Sequence, residues 1–203
     1  MAQITSICVY CGSRPGENPL YMHAATDLGR LMAENGIRLV YGGGSIGLMG
    51  TVARSVLANG GSVTGIIPEF LSTREIMLDD VDELIVTNDM HERKRTMFER
   101  AEAFVALPGG IGTLEEVVEM MTWAQLGRHK KPVLLANIGG FWDPLIDLLA
   151  HMRSEAFINT SHAVSYLVVD HVDDIIPRLS AAVRDTEQAA LGQTATAEPL
   201  SRF

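Results

Sequence analysis

Lysine is scarce in this sequence: Lys94, Lys130 and Lys131 stand against thirteen arginines. Cysteine is scarcer still, with only Cys8 and Cys11, in a single C-x-x-C. A structural zinc needs a full tetrahedral ligand set, and neither a second cysteine pair nor an H-x-x-x-H segment supplies the rest, so no metal is expected. Cys8 falls inside an apolar run rather than at a helix start, which favours two reduced thiols at a strand end over a redox pair. No run approaches the roughly 18 apolar residues of a membrane helix. Nor does a basic segment precede an apolar one at the N-terminus, so the chain reads as cytoplasmic, with no membrane partner. Positive charge is in deficit as well: a net charge of -9 repels a phosphate backbone over most of the surface, and no basic patch offsets it. No nucleic-acid partner is expected. A small phosphorylated molecule is still allowed, because a pocket needs only a few aimed donors and cations.

What is present is the composition of an ordinary globular protein, 47% hydrophobic and 20% charged over 203 residues, enough for one well-cored domain. Short apolar runs alternate with amphipathic segments. The runs Ile4 to Tyr10, Arg38 to Tyr41, Ser62 to Ile67, Glu83 to Thr87, Ala103 to Leu107, Pro132 to Asn137 and Tyr166 to Asp170 read as seven strands. Helices are predicted from Pro19 to Glu34, Gly47 to Asn59, Asp89 to Ala101, Thr113 to Leu126, Asp143 to Arg153 and Val172 to Arg184. The alternation predicts an α/β fold: a doubly wound, mostly parallel seven-stranded sheet with helices on both faces. Residues 1–185 form the single domain, and 186–203, small and polar, read as a disordered tail.

In such a sheet ligands bind beyond the carboxyl ends of the strands. Two strand-to-helix loops are glycine-rich. The first, Gly42 to Gly50, fits G-x-G-x-x-G, so Gly43 and Gly44 are candidate anion-binding positions; a tight turn with close backbone packing explains the motif equally well. A dinucleotide reading is weaker, since the motif follows the second strand and Glu69 is only a loose match for the ribose-binding acid. The second loop, Pro108-Gly109-Gly110-Ile111-Gly112-Thr113, leads into a helix carrying Glu115, Glu116 and Glu119. Thr113-x-x-Glu116 also has the spacing of a capping box. Between the loops lies Met90-His91-Glu92-Arg93-Lys94, in which Arg93 and Lys94 share the apolar stripe of a helix. Cations on a buried face must be paired or must meet an anionic ligand. A lone His91 reads as a surface or packing residue.

Cys8-Val9-Tyr10-Cys11-Gly12-Ser13, Tyr41-Gly42-Gly43-Gly44 through Gly50, Met90-His91-x-Arg93-Lys94 and Pro108-Gly109-Gly110-x-Gly112-Thr113-x-x-Glu116 occur in order. Together, from about Ile4 to about Pro177, they resemble the Lonely Guy (LOG) family of cytokinin riboside 5′-monophosphate phosphoribohydrolases, long mislabelled as lysine decarboxylases. The resemblance implies a Rossmann-like fold, a homodimer, and hydrolysis of the N-glycosidic bond of an adenosine-type 5′-monophosphate without a cofactor. It implies catalytic roles for Arg93 and Glu116. It also implies a substrate site of Lys94, Gly109, Gly110, Ile111, Gly112, Thr113, Leu114, Glu115 and Thr122, with Glu75 a looser match. A non-catalytic nucleotide-binding protein and a pyridoxal-phosphate lysine decarboxylase, with Lys94 as its Schiff-base lysine, are the competing readings. Met120 to Trp123 with Phe141-Trp142 would suit an interface core, though such residues are more often buried.

Overall fold

The inner strands are buried and apolar on both faces, as a sheet covered on both sides requires. In the computed structural model, which describes residues 4–72, 81–158 and 164–195, the strands are β1 (Ser6–Tyr10), β2 (Arg38–Tyr41), β3 (Val63–Pro68), β4 (Glu83–Thr87), β5 (Ala103–Ala106), β6 (Val133–Ala136) and β7 (Leu167–Val169). Between and after them run α1 (Pro19–Glu34), α2 (Gly47–Ala58), the short α3 (Glu69–Ser72), α4 (Met90–Arg100), α5 (Ile111–Gln125), α6 (Asp143–Ser154) and α7 (Ile175–Ala195). Every strand pairing is parallel.

The order across the sheet is β4-β3-β2-β1-β5-β6-β7. The chain winds outward from β1 to β4, returns to the middle as β5, and winds outward the other way. The loops after β1 and β5 therefore leave adjacent strands toward opposite faces and open a crevice between them, the place where ligands bind in open α/β sheets. Side chains alternate between two cores. Ile7 and Val9 pack with Leu28 of α1, Val52 of α2 and Leu179 of α7. Cys8 and Tyr10 pack with Met97 of α4, Met120 of α5 and Leu149 of α6. Cys8 and Cys11 thus belong to opposite faces, both buried and free, which excludes a disulfide between them.

Three boundaries differ from expectation. Helix α5 begins at Ile111, ahead of Thr113, because extended Gly110 (φ -91°, ψ -160°) takes the N-cap place. Helix α7 runs as Ile175–Ala195, so helical backbone continues past Arg184 into the segment expected to be a tail; Val172–Asp174 is a separate 3-10 turn. The turn α3 was not foreseen, being too short to show a period.

Candidate active site

The crevice holds a cavity of about 590 Å³. Its walls come from the β1–α1 loop (Cys11 to Gly16), the β5–α5 loop (Pro108 to Thr113) and the apolar side chains Leu48, Met49, Leu71 and Met90; Tyr21 and Phe141 meet edge to face at 5.5 Å on one side. The two loops are tied together, since the Gly12 N–H donates to the Pro108 carbonyl at 3.1 Å. Helix α5 has no side chain capping its first turn. Its unpaired amides and positive dipole end are available to an anion in the cavity.

Arg93 and Glu116 meet in this cavity. Asp89 starts α4 by accepting from the Glu92 N–H at 2.8 Å, an N-cap that fixes where the helix begins and so which residues face inward. Arg93, one turn on, donates Nη1 to Glu116 Oε1 at 2.8 Å and Nε to the Ile66 carbonyl at 3.1 Å, and Nη1 also lies 3.4 Å from Met90 Sδ. Both side chains of the ion pair are nearly 90% shielded, with 11% and 12% exposure. Burial pushes the Glu116 carboxyl above the ordinary carboxylate range, and Arg93 opposes part of that rise. Glu116 is not in a capping box: with Gly110 as N-cap, Thr113 already lies inside the helix, and the glutamate reaches Arg93 instead.

Lys94, beside Arg93 on the buried stripe, forms a second network, donating Nζ to Glu115 Oε1 at 2.6 Å and to Glu119 Oε1 at 3.1 Å. Burial alone would lower its pKa, but the two carboxylates outweigh that effect and hold it above the ordinary lysine value.

Of the positions expected to form the site, the structure brings Arg93, Glu116, Gly109, Gly110, Ile111, Gly112 and Thr113 to the cavity wall. Lys94, Leu114, Glu115 and Thr122 are not in that wall. Leu114 packs into the second core, and Thr122 is exposed with its hydroxyl on the Val118 carbonyl. Gly43 and Gly44 also lie outside it. Their loop serves packing: the Leu48 and Met49 amides at the start of α2 donate to the Gly12 carbonyl at 3.0 and 3.3 Å, so they are not free for a phosphate. Glu75 lies outside the described residues. Sequence reasoning gave no site role to Ser13, Arg14, Tyr21 or Phe141; Cys8 to Ser13 carried part of the family resemblance, but only strand order places the loop after β1 beside β5. Among the described residues, no group of three or more His, Cys, Asp and Glu side chains is placed to hold a metal ion. No described helix is long and apolar enough to cross a membrane.

Fold and site together define a parallel α/β protein with a pocket at a topological switch point and a buried carboxylate–guanidinium pair on its wall. The family model described as "Possible lysine decarboxylase" matches residues 49–179. The cytokinin riboside 5′-monophosphate phosphoribohydrolase LOG of Oryza sativa subsp. japonica is 53% identical over 152 residues, 75% of this chain and 63% of its own length. The cytokinin riboside 5′-monophosphate phosphoribohydrolase LOG7 of Arabidopsis thaliana is 49% identical over 153 residues, 75% of this chain and 70% of its own length. The chain belongs to this LOG family. Among solved structures, a molybdenum cofactor binding protein from Rippkaea orientalis (26% identity, TM-score 0.66) covers 90% of this chain and 99% of its own. The Moco carrier protein of Chlamydomonas reinhardtii shares the fold, with a TM-score of 0.68 at 23% identity, covering 89% of this chain and 98% of its own.

Proposed function

We propose that this protein hydrolyses the N-glycosidic bond of an adenosine-type 5′-monophosphate, N6-modified or plain, releasing the free base and ribose 5-phosphate. The observation that carries the reading is the Arg93–Glu116 pair, buried on the wall of a cavity that also presents the uncapped start of α5. The names of the relatives support the same substrate class.

Breaking the C1′–N9 bond builds positive charge on the ribose ring, and a nearby carboxylate stabilises that charge. Glu116 takes this role and accepts a proton from the attacking water, whose oxygen bonds to C1′ as the base departs with the bonding pair; the base takes a proton from solvent, and Glu116 returns its own to solvent to complete the cycle. A carboxylate with a raised pKa is a stronger base, and Arg93 keeps it ionised and aimed. The α5 amides hold the 5′-phosphate away from the reacting bond, so that its binding energy positions C1′ over Glu116.

A pyridoxal-phosphate decarboxylase needs a lysine that can become a neutral amine. Lys94 is held as an ammonium between Glu115 and Glu119 and does not line the cavity, so these residues do not fit that group. We also propose that the protein works as a homodimer. Ile111, Val118 and Leu126 form an exposed apolar stripe along α5 that begins at the cavity lip. Of the residues first considered for an interface, Met120, Met121 and Trp142 are buried in the core, Trp123 and Phe141 are half-buried, and Thr122 is exposed.

The test incubates purified protein with AMP and with N6-isopentenyl-AMP, following free base and ribose 5-phosphate by chromatography. Base release that disappears in Glu116→Gln and Arg93→Ala is the expected result. Binding without release from either substrate would leave a nucleotide-binding protein.

A further inference from the structure

Three charged side chains line the cavity among the described residues: Arg93, Glu116 and Arg14. The first two neutralise one another. Arg14 is in no ion pair with any described residue, so among the described residues the cavity wall carries one uncompensated positive charge. We infer that Arg14 recognises the phosphate of the substrate and sets the preference for a nucleoside 5′-monophosphate over the nucleoside. The inference rests on the function proposed above and names a specificity residue within it.

Its position supports this role in two further ways. The β1–α1 loop that carries Arg14 is joined to the β5–α5 loop through Gly12, whose N–H donates to the Pro108 carbonyl and whose carbonyl accepts from Leu48 and Met49 of α2. A Cβ on Gly47 would lie 2.4 Å from the Arg14 nitrogen, so α2 packs directly against the Arg14 backbone. The side chain is exposed, but its backbone packs against the start of α2, and ordering it on a ligand costs mainly side-chain freedom. Arg14 also shares the cavity wall with the uncapped amides of α5, so a phosphate there meets helix dipole and guanidinium together. Arg93 is engaged by Glu116 and Ile66 and cannot give a phosphate the same forked contact without releasing them. The acidic surface repels a phosphate dianion at long range, which makes a local cation the more necessary.

The experiment compares wild type, Arg14→Ala and Arg14→Lys in two assays: kcat/KM for AMP relative to adenosine, and ribose 5-phosphate binding by calorimetry. A charge-assisted bond of this kind corresponds to a roughly tenfold to hundredfold effect. In Arg14→Ala the AMP-to-adenosine ratio should fall by that factor through KM for AMP, and ribose 5-phosphate should bind correspondingly more weakly; Arg14→Lys should recover part of both. If wild type releases base and Arg14→Ala keeps both the ratio and the ribose 5-phosphate affinity, the inference fails while the proposed activity stands. If wild type releases no base from either compound, the activity fails, and calorimetry alone decides whether Arg14 binds a sugar phosphate.

Discussion

A carboxyl group buried beside a guanidinium is pulled in two directions, and at Glu116 the loss of hydration prevails. A general base works only when ionised, so activity must fall as pH drops through the Glu116 pKa. Because that pKa is raised, the acid limb of kcat/KM should sit above the ordinary carboxylate range. Arg93 is the main influence holding it down, so Arg93→Ala should move the limb to higher pH, beyond its loss of rate. A pH–rate profile with an ordinary carboxylate limb in both proteins would rule Glu116 out as the base. Glu116→Gln should lower turnover by about 10² to 10⁴ above that limb, and the gap to wild type should narrow as pH falls through it. Gly42 offers a second test of the pair, since a Cβ there would fall 2.3 Å from Arg93 Nη2 and 3.2 Å from Met49 Sδ. The atom in the way is the end of a side chain held in a buried ion pair, so Gly42→Ala should lower the melting temperature modestly, by less than its effect on turnover. Displacing the guanidinium should nevertheless cost roughly 10²-fold in turnover, as small misplacements at a reacting centre do. Equal losses of stability and turnover would show that the glycine serves folding alone.

The two glycine-rich loops look alike in the sequence and do different work as elements. The start of α2 is fitted against the β1–α1 loop: Gly47 has φ +59° and an added Cβ would lie 2.3 Å from the Ser13 carbonyl carbon. Gly47→Ala should therefore destabilise the protein by about 2–4 kcal/mol, measured by denaturant unfolding. At the start of α5, an added Cβ on Gly112 meets nothing within 4 Å. Gly112→Ala should unfold at the same denaturant concentration as wild type and raise KM for the monophosphate, because the methyl group narrows the ligand's approach. The reverse pattern would exchange the roles assigned to the loops. Strand and helix periods were legible because both faces of the sheet are buried and the helices carry clear stripes; that Arg93 and Lys94 must be paired or meet an anionic ligand also followed from their place on such a stripe, and the partners came from the structure. The difference between the loops was not legible. Motif spacing reports that a backbone comes close to something, and only strand order says whether that is a ligand or another loop.

Strand order belongs to the whole molecule, and it explains why the loop after β1 was given no site residue although its motif, Cys8 to Ser13, was read. Nothing local in Cys11 to Gly16 says that β5 will return beside β1; the site exists because two segments about a hundred residues apart in the chain end side by side. A partner surface is written more locally. Ile111 (82% exposed), Val118 (39%) and Leu126 (71%) recur at helical spacing on the face of α5 turned away from the core, and Glu115 and Thr122 lie on the same flank. An apolar stripe on an otherwise acidic surface is the feature expected of an interface between copies. If it is, the substrate roles implied for Glu115 and Thr122 arise at the junction rather than in the cavity of one chain. Leu126→Glu places a like-signed charge against its own symmetry mate or against neighbouring carboxylates, and should convert a dimer into a monomer in sedimentation velocity. Its melting temperature should change little at a concentration where wild type is also monomeric, since Leu126 is largely solvated in the single chain. A wild type that sediments as a monomer at all accessible concentrations, or a Leu126→Glu variant that remains dimeric, would remove α5 from the interface.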